Sequence, residues 1–270
     1  MAKRPSEKSA PRAVRDLHPA RVLELCRTSR LARTVVLFES TGSTNAVAME
    51  AASRGAPEGL LVIAEEQYGG KGRKDRTWSS VKGKSLTFSL LLRPACGAEG
   101  LTAIFALAAV KALAVVGKEV RIKWPNDVLV GGGKAAGILA EAKGDAVVIG
   151  MGLNVNERAG DLPAGISPPA VSLAMALGRT CDRGRLLARI VGSFEKLYVR
   201  FEREGFASFR KEIEDRLLYV GSAVTVETGD AKLEGGLLGI TDEGYLRLAV
   251  AGEERIVSSG DLTLREGSHG

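Results

Sequence analysis

Three apolar runs crowd into residues 120–155: VRIKWPNDVLV (120–130), KAAGILAEAK (134–143) and AVVIGMGLNV (146–155), parted only by glycine-rich turns, GGG and GD. A parallel pairing needs a crossover of about a dozen residues, so turns this short constrain the runs to an antiparallel meander. The other elements are read around it. HPARVLELCRTSRL (18–31) has the spacing of a short amphipathic helix and TVVLFES (34–40) that of a strand. STNAVAMEAASRGAP (43–57) predicts a helix with Ser43 or Thr44 as N-cap and Gly55 and Pro57 past its end. GLLVIAEE (59–66) and SLTFSLLLRP (85–94) predict strands. LTAIFALAAVKALAVVG (101–117) is about three residues short of a membrane span and carries Lys111, so it predicts a helix buried on most faces. A Pro-rich loop (161–169) leads to helical spacing over 182–217. This mixture predicts an α+β fold: a mixed, largely antiparallel sheet with helices on one face. Beyond residue 219 the runs become short, alternating and broken by Gly and Asp, the pattern of a small β-barrel or sandwich of about five strands at most. The expected organisation is a basic N-terminal segment (1–33), disordered and then a short helix, a main domain (34–217) and a C-terminal β domain (218–270).

The formal charge of +6 suggests nucleic acid until it is located. Residues 1–33 hold nine Lys/Arg against three Asp/Glu, whereas the remaining 237 residues hold 29 of each. A neutral body, no helix-turn-helix and 5% aromatic content disfavour a nucleic-acid-binding regulator, and no specific DNA binding is expected. Cys26, Cys96 and Cys181 are far apart and form no CxxC pair, which points to a reducing, cytoplasmic compartment and away from a thiolate metal site. The two histidines, His18 and His269, lie in the terminal segments, which disfavours His-based nucleophile and zinc chemistry; no metal site is expected.

Four motifs carry the chemistry. EEQYGGKGRKDRTW (65–78) sets Lys71, Arg73, Lys74 and Arg76 among glycines at 69, 70 and 72. Such a turn suits an anion-binding concavity, but a solvated loop and nucleic-acid contact fit it as well, and it matches neither a Walker A loop nor a dinucleotide fingerprint. In KWPND (123–127), Pro125 holds Trp124 extended, so Lys123, Asn126 and Asp127 can share a sheet rim; a capped strand with a bulge is the plain alternative. GGGKAAGI (131–138) delivers Lys134 at the start of a buried strand, either to solvent or toward a carboxylate or phosphoryl oxygen. IGMGLNVN (149–156) weakens a central strand with Gly150 and Gly152, on the same side as Asn154, which implies close approach of another group, a bulge or tight packing.

In this order, Ser43-Thr44-Asn45, Gln67 with the cationic loop and Trp78, Lys123 to Asp127, Lys134, and Gly150 to Asn154 resemble the biotin protein ligases over about residues 35–265. The resemblance implies a class II synthetase-like catalytic domain followed by an SH3-like β-barrel. It implies ATP and biotin as substrates with Mg²⁺, biotinyl-5′-AMP as intermediate, and a biotin carboxyl carrier protein as acceptor. A homodimer through an exposed sheet edge is also implied. About 34 residues precede the catalytic part, which resembles the ligase-only type without a DNA-binding domain. Carried over by position, Ser43, Thr44, Asn45, Gln67, Gly70, Lys71, Gly72, Arg73, Lys134 and Gly137 correspond to the biotin pocket. Lys71, Arg73, Arg76, Trp78, Asn126, Lys134, Gly150, Gly152 and Asn154 correspond to the adenylate site. Lys134, Arg73, Lys123 and Asp127 are the implied catalytic group, with Asp127 helping the incoming lysine lose its proton. The family loop reads GRGRxGR, so Lys71 replaces an arginine and Asp75 a glycine. A lipoate or octanoate ligase and a catalytically inactive relative are the remaining alternatives.

Overall fold

The structure is a computed structural model that describes residues 16–229 and 231–265; the disorder expected for the first residues falls on 1–15, outside the described part. Its main body is a seven-stranded sheet in the order β1-β2-β3-β7-β6-β5-β4. The strands are β1 (Thr34–Phe38), β2 (Leu60–Ala64), β3 (Leu86–Leu92), β4 (Val120–Lys123), β5 (Asp127–Val130), β6 (Gly133–Lys143) and β7 (Ala146–Leu153). β1 and β2 pair in parallel, across a crossover helix, α2 (Thr44–Ser53). All other pairs in the sheet are antiparallel.

The meander forms with one more strand than the sequence suggests. The run 120–130 is not one strand: it reverses at Trp124-Pro125-Asn126, so that β4 pairs with β5 and Lys123 lies opposite Asp127. Proline has no N–H to give a ladder and a fixed φ, and the chain turns where it would otherwise have had to continue.

The sheet is covered on both faces. Leu61, Ile63, Leu90, Leu92, Ile149 and Met151 belong to the large core with α3 (Leu101–Leu113) and, beyond the short α4 (Leu173–Leu177), α5 (Arg183–Glu204). α3 buries ten of its thirteen residues, and Phe105 meets Phe194 of α5 edge-on at 4.7 Å between ring centroids. The intervening positions Val62, Leu91 and Val148 face the other way and pack against Ala48 and Ala52 of α2. Helices on one face therefore describes the two long helices, while α2 lies opposite. Its buried apolar residues are Ala48 and Ala52, small enough for a short helix to sit close on half the sheet, and the rest of that face is left open. Among the described residues, no helix is long and apolar enough to cross a membrane.

The second sheet contains β8 (Ala223–Thr228), β9 (Ala231–Ile240), β10 (Leu246–Val250), β11 (Glu253–Val257) and β12 (Asp261–Leu264), in the order β11-β10-β9-β8-β12. Its edge strands are joined directly through residues 258–260. Laid flat, five strands would hold their edges ~19 Å apart. Four Cα steps reach only ~14 Å, so the sheet must curl into a barrel-like form. It is fastened to the main body: Glu214 accepts from the Ile240 amide at 2.9 Å, and Trp124 Nε1 donates to the Gly244 carbonyl at 3.3 Å.

The described part of the N-terminal segment is tied down by charge. α1 (Pro19–Leu25) is flanked by Asp16, which pairs at 2.7 Å with Arg183, the first residue of α5. The Arg183 side chain has no solvent exposure and also pairs at 2.7 Å with Glu65, itself 1% exposed. Glu65 follows β2 directly and leads into the cationic loop, so this buried pair anchors one end of that loop. Removing one partner of such a pair leaves the other charge stranded in low dielectric. Arg183→Met is expected to cost about 3–5 kcal/mol in urea unfolding and Asp16→Asn about 1 kcal/mol. A loss below about 1 kcal/mol for Arg183→Met would show that Glu65 is neutralised by another route.

Candidate active site

The open half of the α2 face holds a cavity of about 480 Å³. The N-terminus of α2 forms one wall, where Ser43 caps the helix by accepting from the Ala46 amide. Gln67 Oε1 accepts from the Thr44 amide at 2.7 Å and from its hydroxyl at 3.0 Å. The Asn45 carboxamide donates to Glu141 at 2.7 Å and to the Leu139 carbonyl at 3.2 Å. Ser89 Oγ lies 2.6 Å from Asn45 Oδ1 and 2.7 Å from Thr44 Oγ1. Three glycines, Gly137, Gly150 and Gly152, face this side of the sheet; Gly137 and Gly152 are register partners, and Gly150 pairs with Ser89.

Those glycines make room for the chain's own side chains. A Cβ on Gly150 would overlap the Asn45 carboxamide, and one on Gly152 would overlap the Trp78 indole, which also lies over Gly137. Trp78 Nε1 is buried without a hydrogen-bond partner among the described residues. It is a donor left for something in the cavity that Trp78 lines. Gly70 departs from expectation: it is not among the cavity-lining residues and instead accepts from the Trp78 amide at 2.9 Å, close enough that a Cβ would strike the Trp78 carbonyl. Its contribution is to seat Trp78. Asn154 reaches the cavity, yet its carboxamide is turned to backbone, donating to the carbonyls of Lys134 and Val171. Asn126 donates to the Ile138 carbonyl at 2.8 Å and holds the β4–β5 turn against β6.

The other end of the cavity is cationic. Stepping from Val128 to Leu129 on β5 moves the partner from Ala136 to Lys134, so Ala135 is the extra residue of a bulge in β6. A bulge re-aims side chains. Lys134 Nζ here lies 2.9 Å from Asp127 Oδ1. Lys123, 9% exposed, lines the same space, and its ammonium makes no hydrogen bond or ion pair among the described residues. Burial pushes its ammonium pKa down, nearby Lys134 adds to this, and Asp127 opposes it. Arg73 is half-buried, and burial likewise works against its charge, with Arg76 adding and Asp261 and Asp127 opposing. Lys71, Gly72 and Arg76 complete the loop side.

Every residue expected in the site except Gly70 lines this one cavity. Missed from sequence are Glu227, Asp261 and Thr263 of the second sheet, Ile166 and Ala170 of the 161–171 segment, and the supporting Ser89 and Glu141. Ser89 left a signal, a polar residue within an apolar strand; the second-sheet residues left none. At the loop tip, Lys74 and Asp75 adopt φ of 53° and 57°. Asp75 thus stands in the left-handed conformation natural to the glycine that the family loop carries there. Among the described residues, no three His, Cys, Asp or Glu side chains are grouped to hold a metal ion.

Comparison with known proteins agrees in both parts of the chain. Residues 37–156 match the Biotin/lipoate A/B protein ligase family, and residues 219–265 match the Biotin protein ligase C terminal domain. The chain is 35% identical over 242 residues to the biotin--[acetyl-CoA-carboxylase] ligase of Mycobacterium tuberculosis, covering 85% of this chain and 88% of that one. It is 34% identical over 247 residues to the bifunctional ligase/repressor BirA of Bacillus subtilis, covering 88% and 76%. Its fold is similar to that of the biotin protein ligase from Aquifex aeolicus solved with biotin and ATP, with a TM-score of 0.77 at 27% identity over 86% of this chain and 99% of that one. The chain belongs to the biotin/lipoate protein ligase family, and the matching C-terminal domain puts it with the biotin protein ligases.

Proposed function

We propose that this protein joins biotin to ATP, forming biotinyl-5′-AMP and pyrophosphate, and then transfers the biotinyl group to a lysine of a biotin carboxyl carrier protein, such as that of an acyl-CoA carboxylase. The observation that carries this reading is the gradient within one cavity. Neutral hydrogen-bonding groups of Ser43, Thr44, Asn45 and Gln67 stand at one end, and Arg73, Lys123 and Lys134 at the other. A cyclic urea suits the neutral end, and a carboxylate meeting an α-phosphate suits the cationic end. Lipoate and octanoate would leave the Gln67 carboxamide NH₂, whose oxygen alone is bonded to Thr44, facing an apolar chain, a penalty that favours biotin.

In the first step a biotin carboxylate oxygen attacks the α-phosphorus and the bond to pyrophosphate breaks, so no protein nucleophile is required. The barrier is the approach of two anions. Cations fixed in a partly dehydrated cavity lower it without reorganising at the moment of reaction. Lys123, whose ammonium has no partner among the described residues, is assigned to the phosphate or carboxylate oxygens. Lys134 is assigned to both, with Asp127 fixing its position. Trp78, Asn126, Gly150, Gly152 and Asn154 are assigned to the adenylate surroundings. Mg²⁺ is assigned to the substrate as MgATP, held through phosphate oxygens and supplying charge neutralisation. In the second step the acceptor amine attacks the acyl carbon and AMP leaves; Asp127 is assigned to take the amine's proton.

A cytoplasmic location fits three free cysteines. A homodimer is assigned to the β1 edge, because the outer edge of β4 already bonds to residues 216 and 218.

Pyrophosphate exchange into ATP should require biotin, with lipoate and octanoate inactive; exchange with either of those instead would overturn the substrate. Arg73→Gly should speed escape of biotinyl-AMP about 10- to 100-fold, the value of a charge-assisted hydrogen bond, and label bystander proteins. Labelling confined to the carrier would remove Arg73 as the retaining group. Gly152→Ala should unseat Trp78 and raise KM for ATP about tenfold or more while leaving KM for biotin within about threefold. Equal rises in both constants would separate Trp78 from the nucleotide.

A further inference from the structure

The strongest feature outside that reading is the contact between the cationic loop and the start of β12. Lys74 Nζ lies 3.1 Å from Asp261 Oδ2, and Arg76 pairs with the same oxygen. Arg73 donates to the carbonyl of the preceding residue, Gly260, at 3.2 Å. Three loop cations are thus met by two consecutive residues, Gly260 of the β11–β12 link and Asp261 of β12, which lie more than 180 positions along the chain.

Three further observations say that this contact shapes the loop. First, the loop carries Lys71, Arg73, Lys74 and Arg76 against Asp75 alone, so it repels itself unless an outside anion intervenes. Second, its tip holds two consecutive non-glycine residues, Lys74 and Asp75, in the left-handed region. That conformation is unfavourable for L-residues and needs support from elsewhere. Third, Asp261 lies directly opposite Glu227 across the β8–β12 ladder. Two like charges facing each other destabilise a sheet unless cations lie over them. Burial raises the Asp261 carboxyl pKa, but Lys74 and Arg76 outweigh this and hold it below the usual aspartate range.

We infer that Asp261 is a positioning residue for the reaction: it latches the 70–78 loop over the cavity, standing in among the loop cations for the anion that a bound nucleotide brings. Lys74 and Arg76 serve the latch as ion pairs, which leaves Lys71, and the Arg73 N–H groups not given to the Gly260 carbonyl, for the ligand. Arg76 is accordingly reassigned from the adenylate to Asp261. The inference rests on the proposed ligase activity for its consequence, retention of the intermediate, but the latch itself is a property of the unliganded chain.

The test is hydrogen–deuterium exchange of the full chain without ligand, read at the amides that close the loop: Gly72, Arg76 and Trp78. Two partly exposed ion pairs are together worth about fivefold in a local opening equilibrium. Asp261→Asn should therefore speed exchange about fivefold at these amides alone, and Asp261→Glu should restore it. Added salt should speed exchange in the unaltered chain but not in Asp261→Asn, because there is no pair left to screen. Escape of biotinyl-AMP should rise by the same factor. Exchange in Asp261→Asn that matches the parent and keeps its salt dependence would overturn the latch. Faster exchange spread over β8 to β12 would also overturn it, assigning Asp261 to the stability of the second sheet. A chain that shows no biotin-dependent pyrophosphate exchange would refute the ligase reading while the amide measurement still decides the latch.

Discussion

Arg73, Lys123 and Lys134 converge on a cavity that excludes much of the water that would otherwise screen them. Like charges brought together at reduced dielectric push one another toward neutrality, and a chain that holds them there must compensate. The compensation is uneven. Asp127 answers Lys134, and Asp261 answers Lys74 and Arg76, whereas Lys123 has no partner within ion-pair distance among the described residues. The net result is a cavity with a positive deficit held in place by the fold, ready for an anion that the protein does not itself supply. Much of the architecture serves that arrangement. The β4–β5 reversal sets Lys123 across from Asp127, the bulge in β6 turns Lys134 onto the same carboxylate, and the second sheet brings Asp261 to the loop.

Glycine placement answers a different demand. A central strand loses stability at each glycine, so Gly150 and Gly152 in one strand need a return. The return is that Asn45 and Trp78 can lie against the sheet where any side chain would collide. Asn45 then ties α2 to Glu141 and the Leu139 carbonyl, which fixes the neutral wall of the cavity. Trp78 brings the far end of the cationic loop down onto the sheet and presents an unused indole N–H. The weak strand and the rigid wall are therefore one design, and the same glycines connect the neutral and charged ends.

The sequence reveals what is local and periodic, and hides what depends on distant pairing. Short turns between apolar runs specify the meander, and the Ser43 cap specifies where α2 begins. The split of residues 120–130 is also legible, because Pro125 forbids a continuous ladder, yet an eleven-residue apolar run masks it. The position of α2 on the opposite face is not legible: alternation in β2, β3 and β7 is obscured because both faces are buried and both read as apolar. Loop glycines likewise look alike in sequence, although Gly70 seats Trp78 and Gly72 faces the cavity. Asp261, in a stretch of ordinary alternating β sequence, carries no mark of the loop it meets.

This last contact bears on how charge is distributed over the whole molecule. Residues 34–270 hold equal numbers of cationic and anionic side chains, while the cavity and its loop concentrate the cations. Neutrality of the body therefore depends on acids placed elsewhere, and some of these lie where they can be used. Asp261 and Glu227, side by side on the second sheet, would repel one another on an isolated barrel. Beside the loop, Asp261 is part of its counter-charge. A small barrel carrying such a pair is stabilised by the catalytic body as much as it stabilises the loop. That reciprocity gives a physical reason for the two sheets to be docked, through Trp124 on Gly244 and Glu214 on Ile240, rather than joined by a free linker. On the proposed reaction, where the loop opens for substrates and closes over a water-sensitive anhydride, its contact has to be weak enough to break and specific enough to re-form. Solvent-accessible ion pairs to a fixed carboxylate have that strength, whereas buried apolar packing at the same place would hold the loop shut.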